Sequence, residues 1–135
     1  MVWRGGLWHK LVKENVNGKI FNVIRNMYRN VKSCVRLNQH ISNTFECNVG
    51  VRQGENLSPL LVAFYVNDLE NYIMEQNCNC LNFDDDYINT YLKLLVLMYA
   101  DDTIVLCDSE EKMKQALLAL HNYCDDCKLK LNCDK

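Results

Sequence analysis

The sequence contains a single proline, Pro59, and it has no low-complexity segment and no internal repeat. Linkers between domains are usually rich in proline, glycine and polar residues, so their absence predicts one compact unit with one core. The sequence also lacks a run of about 18 apolar residues, which is the length that a membrane-spanning helix needs. We therefore expect residues 1–135 to form a single domain that does not cross a membrane.

Acidic residues are almost absent from the first third of the chain. Residues 1–40 hold eight lysines and arginines against one acid, Glu14, a formal charge of +7 that leaves −9 for residues 41–135. The basic part suits a nucleic-acid backbone and the acidic part suits metal ions, although a solvated helix face has a similar composition. Charged residues interrupt the apolar residues near Met1, unlike a secretory signal, so we expect an intracellular protein in the cytoplasm or nucleus.

Eight cysteines would suggest disulfides in a secreted chain, but without a secretory signal we expect reduced thiols. Four residues near the carboxyl end have a spacing compatible with zinc: His121, Cys124, Cys127 and Cys133. Cys124 also falls on the apolar stripe of a predicted helix, where a buried thiol is an ordinary core residue. The sequence favours core packing here, and a zinc-stapled interaction module remains as an alternative.

Hydrophobic periodicity predicts two helices and a β-hairpin in the first half of the chain. Apolar residues keep helical spacing from residue 7 to residue 12 and again from residue 20 to residue 27, and Asn17 and Gly18 separate the two runs. Residues 33–37 and 44–49 then alternate between apolar and polar side chains across a polar turn at residues 38–43. Such alternation is typical of a hairpin.

A third helix is predicted to begin at Ser58 and Pro59, because proline is favoured in the first helical turn, and to continue to about Glu75. We interpret Asn67 and Asp68 within it as a polar end that makes local hydrogen bonds. Residues 76–91 are polar and include Asp84, Asp85 and Asp86, so we expect a solvated loop there.

A fourth helix is predicted after residue 107. Asp108 is expected to cap it, with Glu111 completing a capping box, and the helix is expected to end near Cys127. Its apolar stripe comprises Met113, Leu117, Leu120 and Cys124. Residues 125–126 are interpreted as surface charge, and residues 129–132 as a last strand.

Two adjacent aspartates, Asp101 and Asp102, interrupt an apolar stretch at residues 94–107. The flanks predict two buried strands with both aspartates at the turn between them. Two carboxylates held side by side repel each other and favour a positive counter-ion. Carboxylate oxygens are hard ligands that suit Mg²⁺ or Mn²⁺, so the sequence predicts a divalent metal site at this turn.

Three motifs of the chain, in their order, resemble motifs of reverse transcriptases. Tyr99-Ala100-Asp101-Asp102 is similar to the metal-binding box of this family, in the variant of non-LTR, LINE-like retrotransposons. The segments Arg-Gln-Gly-Glu-Asn-Leu-Ser-Pro at residues 52–59 and Tyr-Val-Asn-Asp-Leu at residues 65–69 resemble two further motifs. The resemblance covers nearly the whole chain. It implies an α+β, polymerase palm-like fold with helices packed on one face of a small antiparallel sheet.

The resemblance also implies an activity, a cofactor and partners. The activity would be RNA-directed DNA polymerisation, which adds deoxynucleotides to a primer by a two-metal mechanism, with Asp101 and Asp102 among the ligands of the Mg²⁺ (or Mn²⁺) ions. The partners would be an RNA template, a DNA primer and deoxynucleoside triphosphates. Tyr99 would pack beside the primer end.

Further residues receive roles by the same resemblance. Arg52, Gln53 and Gly54 resemble the loop that lies against the template and the incoming nucleotide, where arginine offers a forked donor for phosphate and glycine permits close approach. Lys135 matches a late lysine that helps pyrophosphate to leave. Basic residues expected to contact the nucleic-acid backbone are Arg25, Arg29, Lys32 and Arg36.

One departure from the family lies at the amino terminus. Val2-Trp3-Arg4 resembles the end of a family pattern, Phe-Asp-x-Val-Trp-Arg, in which Met1 would occupy x and a catalytic aspartate would precede it. We therefore expect an incomplete palm, without the first catalytic strand, the fingers and the thumb, that is inactive alone. An exposed sheet edge would favour non-specific self-association. The alternative is a non-catalytic nucleic-acid-binding remnant of a retrotransposon.

Overall fold

The computed structural model of the chain describes residues 1–76, 95–99 and 102–132, with the backbone alone for residues 95–99 and 102. Within these ranges the chain forms five α-helices and three two-stranded antiparallel sheets, so the predicted α+β class is confirmed. The structure divides into two compact units, residues 1–65 (unit 1) and residues 66–135 (unit 2). In the described part of the chain, each helix is too short or too polar to cross a bilayer.

Unit 1 begins with the two predicted helices, α1 (Arg4–Lys13) and α2 (Gly18–Met27). The chain leaves α1 through Asn15, which has a φ of +61° that asparagine tolerates better than most residues. The amide of Val16 then donates to the carbonyl of Leu11 at 2.9 Å, a bond typical of a helix that ends in a left-handed residue. Leu11 is buried in the core of the unit, whereas α2 buries no residue completely.

Residues 32–46 form two nested ladders in place of the single hairpin predicted. The outer ladder pairs β1 (Lys32–Ser33) with β4 (Phe45–Glu46), and the inner one pairs β2 (Arg36–Leu37) with β3 (His40–Ile41). The predicted turn at residues 38–43 was too long, because His40 already pairs with Leu37 and only two residues connect the inner strands. Asn38, the first of them, has a φ of +55°.

Helix α3 (Ser58–Val66) completes the core of unit 1, and Tyr65 is its most deeply buried large side chain. A Cβ atom on Gly6 would lie 3.1 Å from the Tyr65 hydroxyl, so glycine allows α1 to approach this ring closely. The ammonium of Lys10 lies 5.3 Å from the centroid of the same ring. Contacts of one aromatic residue therefore join α1 to α3.

The prediction of a single helix from Ser58 to about Glu75 is wrong, because the helix ends at Val66 and a second helix, α4 (Leu69–Glu75), begins three residues later. Asp68 occupies the N-cap position of α4 without capping it through its side chain. Its Oδ1 instead accepts a hydrogen bond of 2.7 Å from the hydroxyl of Tyr123, 55 residues away. This side-chain hydrogen bond is long-range, whereas the sequence predicted local hydrogen bonds for Asn67 and Asp68.

Helix α5 (Glu110–Asp126) is the longest helix of unit 2 among the described residues. Its N-cap is Ser109, whose hydroxyl accepts from the amide of Lys112 at 3.3 Å. The predicted cap, Asp108, lies one residue too early and pairs instead with the ammonium of Lys112 at 2.7 Å. The predicted capping box is also wrong, because the third helical residue is Lys112 and not Glu111. At the other end Lys128 has a φ of +51°, and the amide of Leu129 donates to the carbonyl of Cys124 at 2.7 Å.

The buried face of α5 differs from the predicted stripe. Leu117 is 51% exposed, and the buried residues are Ala116, Ala119, Tyr123 and Cys124. Small alanine side chains let α5 pack closely against α4, with which it makes its largest described interface.

Residues 125–126 are exposed, as predicted, whereas residues 129–132 are not a strand. The predicted loop at residues 76–91 lies, apart from Gln76, outside the described residues.

The predicted hairpin of unit 2 is confirmed. Strand β5 (Leu95–Tyr99) pairs antiparallel with β6 (Asp102–Leu106), from Leu95 opposite Leu106 to Tyr99 opposite Asp102. The expectation that the flanks are buried is wrong for β6, since Ile104 is 54% exposed and Leu106 is 42% exposed. Helix α5 follows β6 after three residues and packs against it.

The hydrogen bond between Tyr123 and Asp68 predicts a pH-dependent stability. Burial and, next, this hydrogen bond raise the pKa of Tyr123 far above its usual value, so the fold favours the neutral phenol. A raised pKa means that the contribution is fully present below the unfolded pKa of about 10 and is lost as the pH rises above it. We expect the free energy of unfolding, measured by urea denaturation, to fall steeply above about pH 10.

The variant Tyr123→Phe isolates this contribution, because lysines that also titrate in this range are common to both proteins. We expect a loss of about 1–3 kcal/mol at pH 8 and a flatter decline above pH 10. Asp68→Asn keeps an acceptor oxygen for the phenol and is expected to lose less. An unchanged alkaline decline in Tyr123→Phe would contradict the prediction.

Candidate functional site

The end of the β5–β6 hairpin carries the residues that the sequence singled out first. Asp102 is the first residue of β6 and pairs with Tyr99, so it belongs to a strand and not to the turn where it was predicted. Directly opposed residues of an antiparallel pair have Cα atoms about 4.5–5.5 Å apart. This register therefore brings the backbones of Tyr99 and Asp102 together, with only two residues between them in the sequence. Asp101 and Lys135 lie outside the described residues.

The metal site predicted at these aspartates stays a prediction. In the part of the chain whose side chains are described, no three histidine, cysteine, aspartate or glutamate residues come close enough to hold a metal ion. The carboxylates of Asp101 and Asp102 are not among those side chains. The next acid along the chain, Asp108, is paired with Lys112 and anchors the start of α5.

The residues proposed as an alternative zinc site have other surroundings. His121 is exposed and lies 3.5 Å from the carboxylate of Asp125 on the same helix. Cys124 and Cys127 are buried, as expected of thiols on the core face, and burial raises the pKa of the Cys124 thiol. Cys133 lies outside the described residues. A raised thiol pKa disfavours the thiolate that zinc would need.

The loop that follows β4 holds the second group of predicted site residues. The guanidinium of Arg52 turns back towards α2, where its Nη2 donates to the carbonyl of Met27 at 2.6 Å. Its Nη1 lies 3.6 Å from Oε1 of Glu55. The side chain is nevertheless 44% exposed, and a guanidinium has five N–H donors, so these contacts do not use all of them.

Gln53 and Gly54 of this loop are exposed, as Arg52 is. Gly54 has a φ of +81°, and a Cβ atom there would meet no atom within 4 Å. The backbone conformation alone therefore explains the glycine within this chain. Behind the tip, the buried Ser58 donates a hydrogen bond from its hydroxyl to the carbonyl of Arg52 at 2.5 Å.

Tyr28 and Arg4 support the loop, and sequence reasoning missed the part they play. Tyr28 is 3% exposed and donates from its hydroxyl to Oε2 of Glu55 at 2.9 Å. Arg4 donates to the carbonyl of Gly50 at 2.9 Å and to that of Tyr28 at 3.0 Å. The Val2-Trp3-Arg4 motif was a signal of a specific role for Arg4, but the sequence predicted no role for it in the loop.

The basic residues predicted to contact nucleic acid all belong to unit 1, and all are exposed: Arg25, Arg29, Lys32 and Arg36. They lie on α2, just after it, on β1 and on β2. Of these four, Arg36 donates from Nε to the carbonyl of Asn38 at 3.2 Å, a bond that keeps its side chain near the inner hairpin.

Comparison with protein families gives one match. The model of the family described as reverse transcriptase (RNA-dependent DNA polymerase) matches residues 1–135. No curated protein and no solved structure matches the chain. The matched range includes the Tyr99 and Asp102 pair, the loop at residues 52–54 and the exposed basic residues of unit 1.

Proposed function

Because the chain belongs to the reverse transcriptase (RNA-dependent DNA polymerase) family, we propose that residues 1–135 form part of the palm of a non-LTR, LINE-like reverse transcriptase. The observation that carries this proposal is the β5–β6 hairpin, which pairs Tyr99 with Asp102 inside a chain that the family model matches in full. The alanine at position 100 supports the LINE-like subtype. An intracellular location, in the cytoplasm or nucleus, agrees with the substrates of such an enzyme.

Asp101 and Asp102 are the proposed metal ligands and catalytic residues. Their carboxylate oxygens are a hard donor set that fits Mg²⁺ or Mn²⁺, and the pairing of β5 with β6 places the backbone of Asp102 at the start of a strand. Bound divalent ions would activate the primer 3′ hydroxyl and stabilise the leaving pyrophosphate. The chain itself contributes a rigid support, since α5 packs against β6 directly behind the hairpin.

The remaining residues bind and orient substrates. Tyr99 packs beside the primer end, and the loop of Arg52, Gln53 and Gly54 lies against the template and the incoming deoxynucleotide. Lys135 helps the pyrophosphate to leave. The exposure of Gln53 and Gly54, together with the firm attachment of the loop behind them, supports this arrangement.

The 135 residues by themselves are expected not to extend a primer. Holding two metal ions takes carboxylates from at least two separate positions in the fold. Asp101 and Asp102 are adjacent in the sequence and together supply only one such position. The measurement is an extension assay with purified chain, RNA template, DNA primer, deoxynucleotides and Mg²⁺. Extension that Asp101→Asn abolishes would contradict the expected inactivity and support the polymerase assignment.

Nucleic-acid binding tests the proposed partners and the non-catalytic alternative together. The exposed Arg25, Arg29, Lys32 and Arg36 are expected to neutralise phosphates, so the affinity for a primer annealed to a template should fall as the salt concentration rises. In a plot of the logarithm of the binding constant against the logarithm of the salt concentration, each contact removed should reduce the steepness of the slope by about 1. Replacing two of them, Arg25→Gln with Arg29→Gln, reduces the slope by about 2.

A matched control is Lys112→Gln with Lys114→Gln on α5, which removes the same charge from unit 2 and is expected to leave the slope unchanged. Equal slopes for both double variants would contradict the proposed contact. Salt-dependent binding without metal-dependent nucleotide binding would favour the non-catalytic remnant.

Self-association through the β5–β6 hairpin is the last part of the proposal. Among the described residues these strands pair only with each other, and β6 exposes Ile104 and Leu106. We expect the scattering mass to rise with concentration, and Ile104→Lys to suppress the rise more than Leu118→Lys, a similarly exposed leucine on α5. A monomer at all concentrations would refute this part.

A further inference from the structure

We propose that Tyr28 is a positioning residue for the Arg52, Gln53 and Gly54 loop, although it lies 24 residues before Arg52 and is buried. The inference rests on the proposed function, in which this loop lies against the template and the incoming nucleotide. In that arrangement Tyr28 touches neither the template nor the nucleotide. It acts through the residues at the two ends of the loop.

The hydroxyl of Tyr28 is the first contact that fixes the loop. It donates to Oε2 of Glu55 at 2.9 Å and lies 3.3 Å from Oγ of Ser58. Glu55 directly follows Gly54, and Ser58 donates to the carbonyl of Arg52. One phenol therefore reaches both residues that hold the two ends of the loop.

The aromatic ring of Tyr28 is the second contact. The guanidinium carbon of Arg4 lies 5.3 Å from the ring centroid and that of Arg52 lies 5.7 Å from it. A ring face attracts cations, so Tyr28 stabilises two like charges in one neighbourhood. The ring therefore restrains the Arg52 side chain, and the hydroxyl restrains Glu55, the residue that directly follows Gly54.

The two arginines also bind the carboxyl-terminal end of α2. Arg52 donates to the carbonyl of Met27 and Arg4 donates to the carbonyl of Tyr28. These carbonyls have no partner within the helix and carry the negative end of its dipole. These contacts hold the Arg52 side chain against α2 while Gln53 and Gly54 stay exposed, so Tyr28 helps to fix the residue at which the exposed part of the loop begins.

The test removes one oxygen atom. Tyr28→Phe keeps the ring beside both guanidinium groups and loses the hydrogen bond to Glu55. We expect trypsin to cleave the native chain after Arg52 about tenfold faster, because a bond to a charged acceptor restrains local opening by about this factor. Cleavage after the exposed Arg25 and Arg36 is the internal control and should stay within about twofold.

Variants at Glu55 separate positioning from a general loss of structure. Glu55→Gln keeps an acceptor oxygen for the Tyr28 hydroxyl, so cleavage after Arg52 is expected to stay nearly as slow as in the wild type. Glu55→Ala should accelerate cleavage after Arg52 as much as Tyr28→Phe does. The double variant, Tyr28→Phe with Glu55→Ala, should be cleaved little faster than either single variant. Faster cleavage at every arginine, unchanged cleavage after Arg52, or additive effects of the two changes would overturn the inference.

A second readout connects positioning to binding. A fluorescein-labelled DNA primer annealed to an RNA template is titrated with wild type and with Tyr28→Phe, and the variant is expected to bind severalfold more weakly with an unchanged salt slope. Equal affinity despite a freed loop would overturn the functional part of the inference. If the wild type binds no template and primer, the proposed function fails, and the cleavage assay still decides whether Tyr28 positions the loop.

Discussion

The carboxyl-terminal end of α2 is the point on which the described architecture of unit 1 depends. The carbonyls of Met27 and Tyr28 have no helical partner there, and they receive guanidinium donors from Arg52 and Arg4. Arg4 begins α1 and also binds Gly50, so three segments that are far apart in the sequence meet at these carbonyls. A surface arginine pair would contribute little to stability, whereas donors that satisfy helix ends remove the cost of unpaired carbonyls. The loop at residues 52–54 takes its conformation from this junction.

In unit 2 the corresponding constraint is the packing of α5. Ala116 and Ala119 allow close contact with α4, and the Tyr123 hydroxyl binds Asp68 across that contact. Because α5 follows β6 after three residues, the helix that anchors the unit also supports the hairpin. Asp102 begins the strand against which this helix packs. Support of this kind is what a proposed metal ligand needs, because a ligand must be held in one position to bind the ion.

Local patterns predicted local structure, and long-range contacts explain the errors. The β5–β6 hairpin and the helices α1 and α2 follow from periodicity alone. The break before Asp68 could not be predicted, because its hydrogen bond comes from Tyr123, 55 residues later. Asp108 was the predicted cap, but it pairs with Lys112 in the structure and the next residue, Ser109, caps the helix. Within the candidate site, the motifs predicted a role for the loop and for the aspartates, and Val2-Trp3-Arg4 gave a signal for Arg4. The contacts of Tyr28 with the loop left no pattern in the sequence, because they join residues 24 or more positions apart.

Metal binding at Asp101 and Asp102 is the central claim, and paramagnetic NMR measures it most directly. Substoichiometric Mn²⁺ added to ¹⁵N-labelled chain should broaden the amide signals of Tyr99 and Asp102 first, and Asp101→Asn should prevent this broadening. Asp125 and Asp126 form a second acidic pair on the exposed end of α5 and serve as the control for weak binding of cations to surface charge. Broadening that is equal at both pairs, or that persists in Asp101→Asn, would contradict the account.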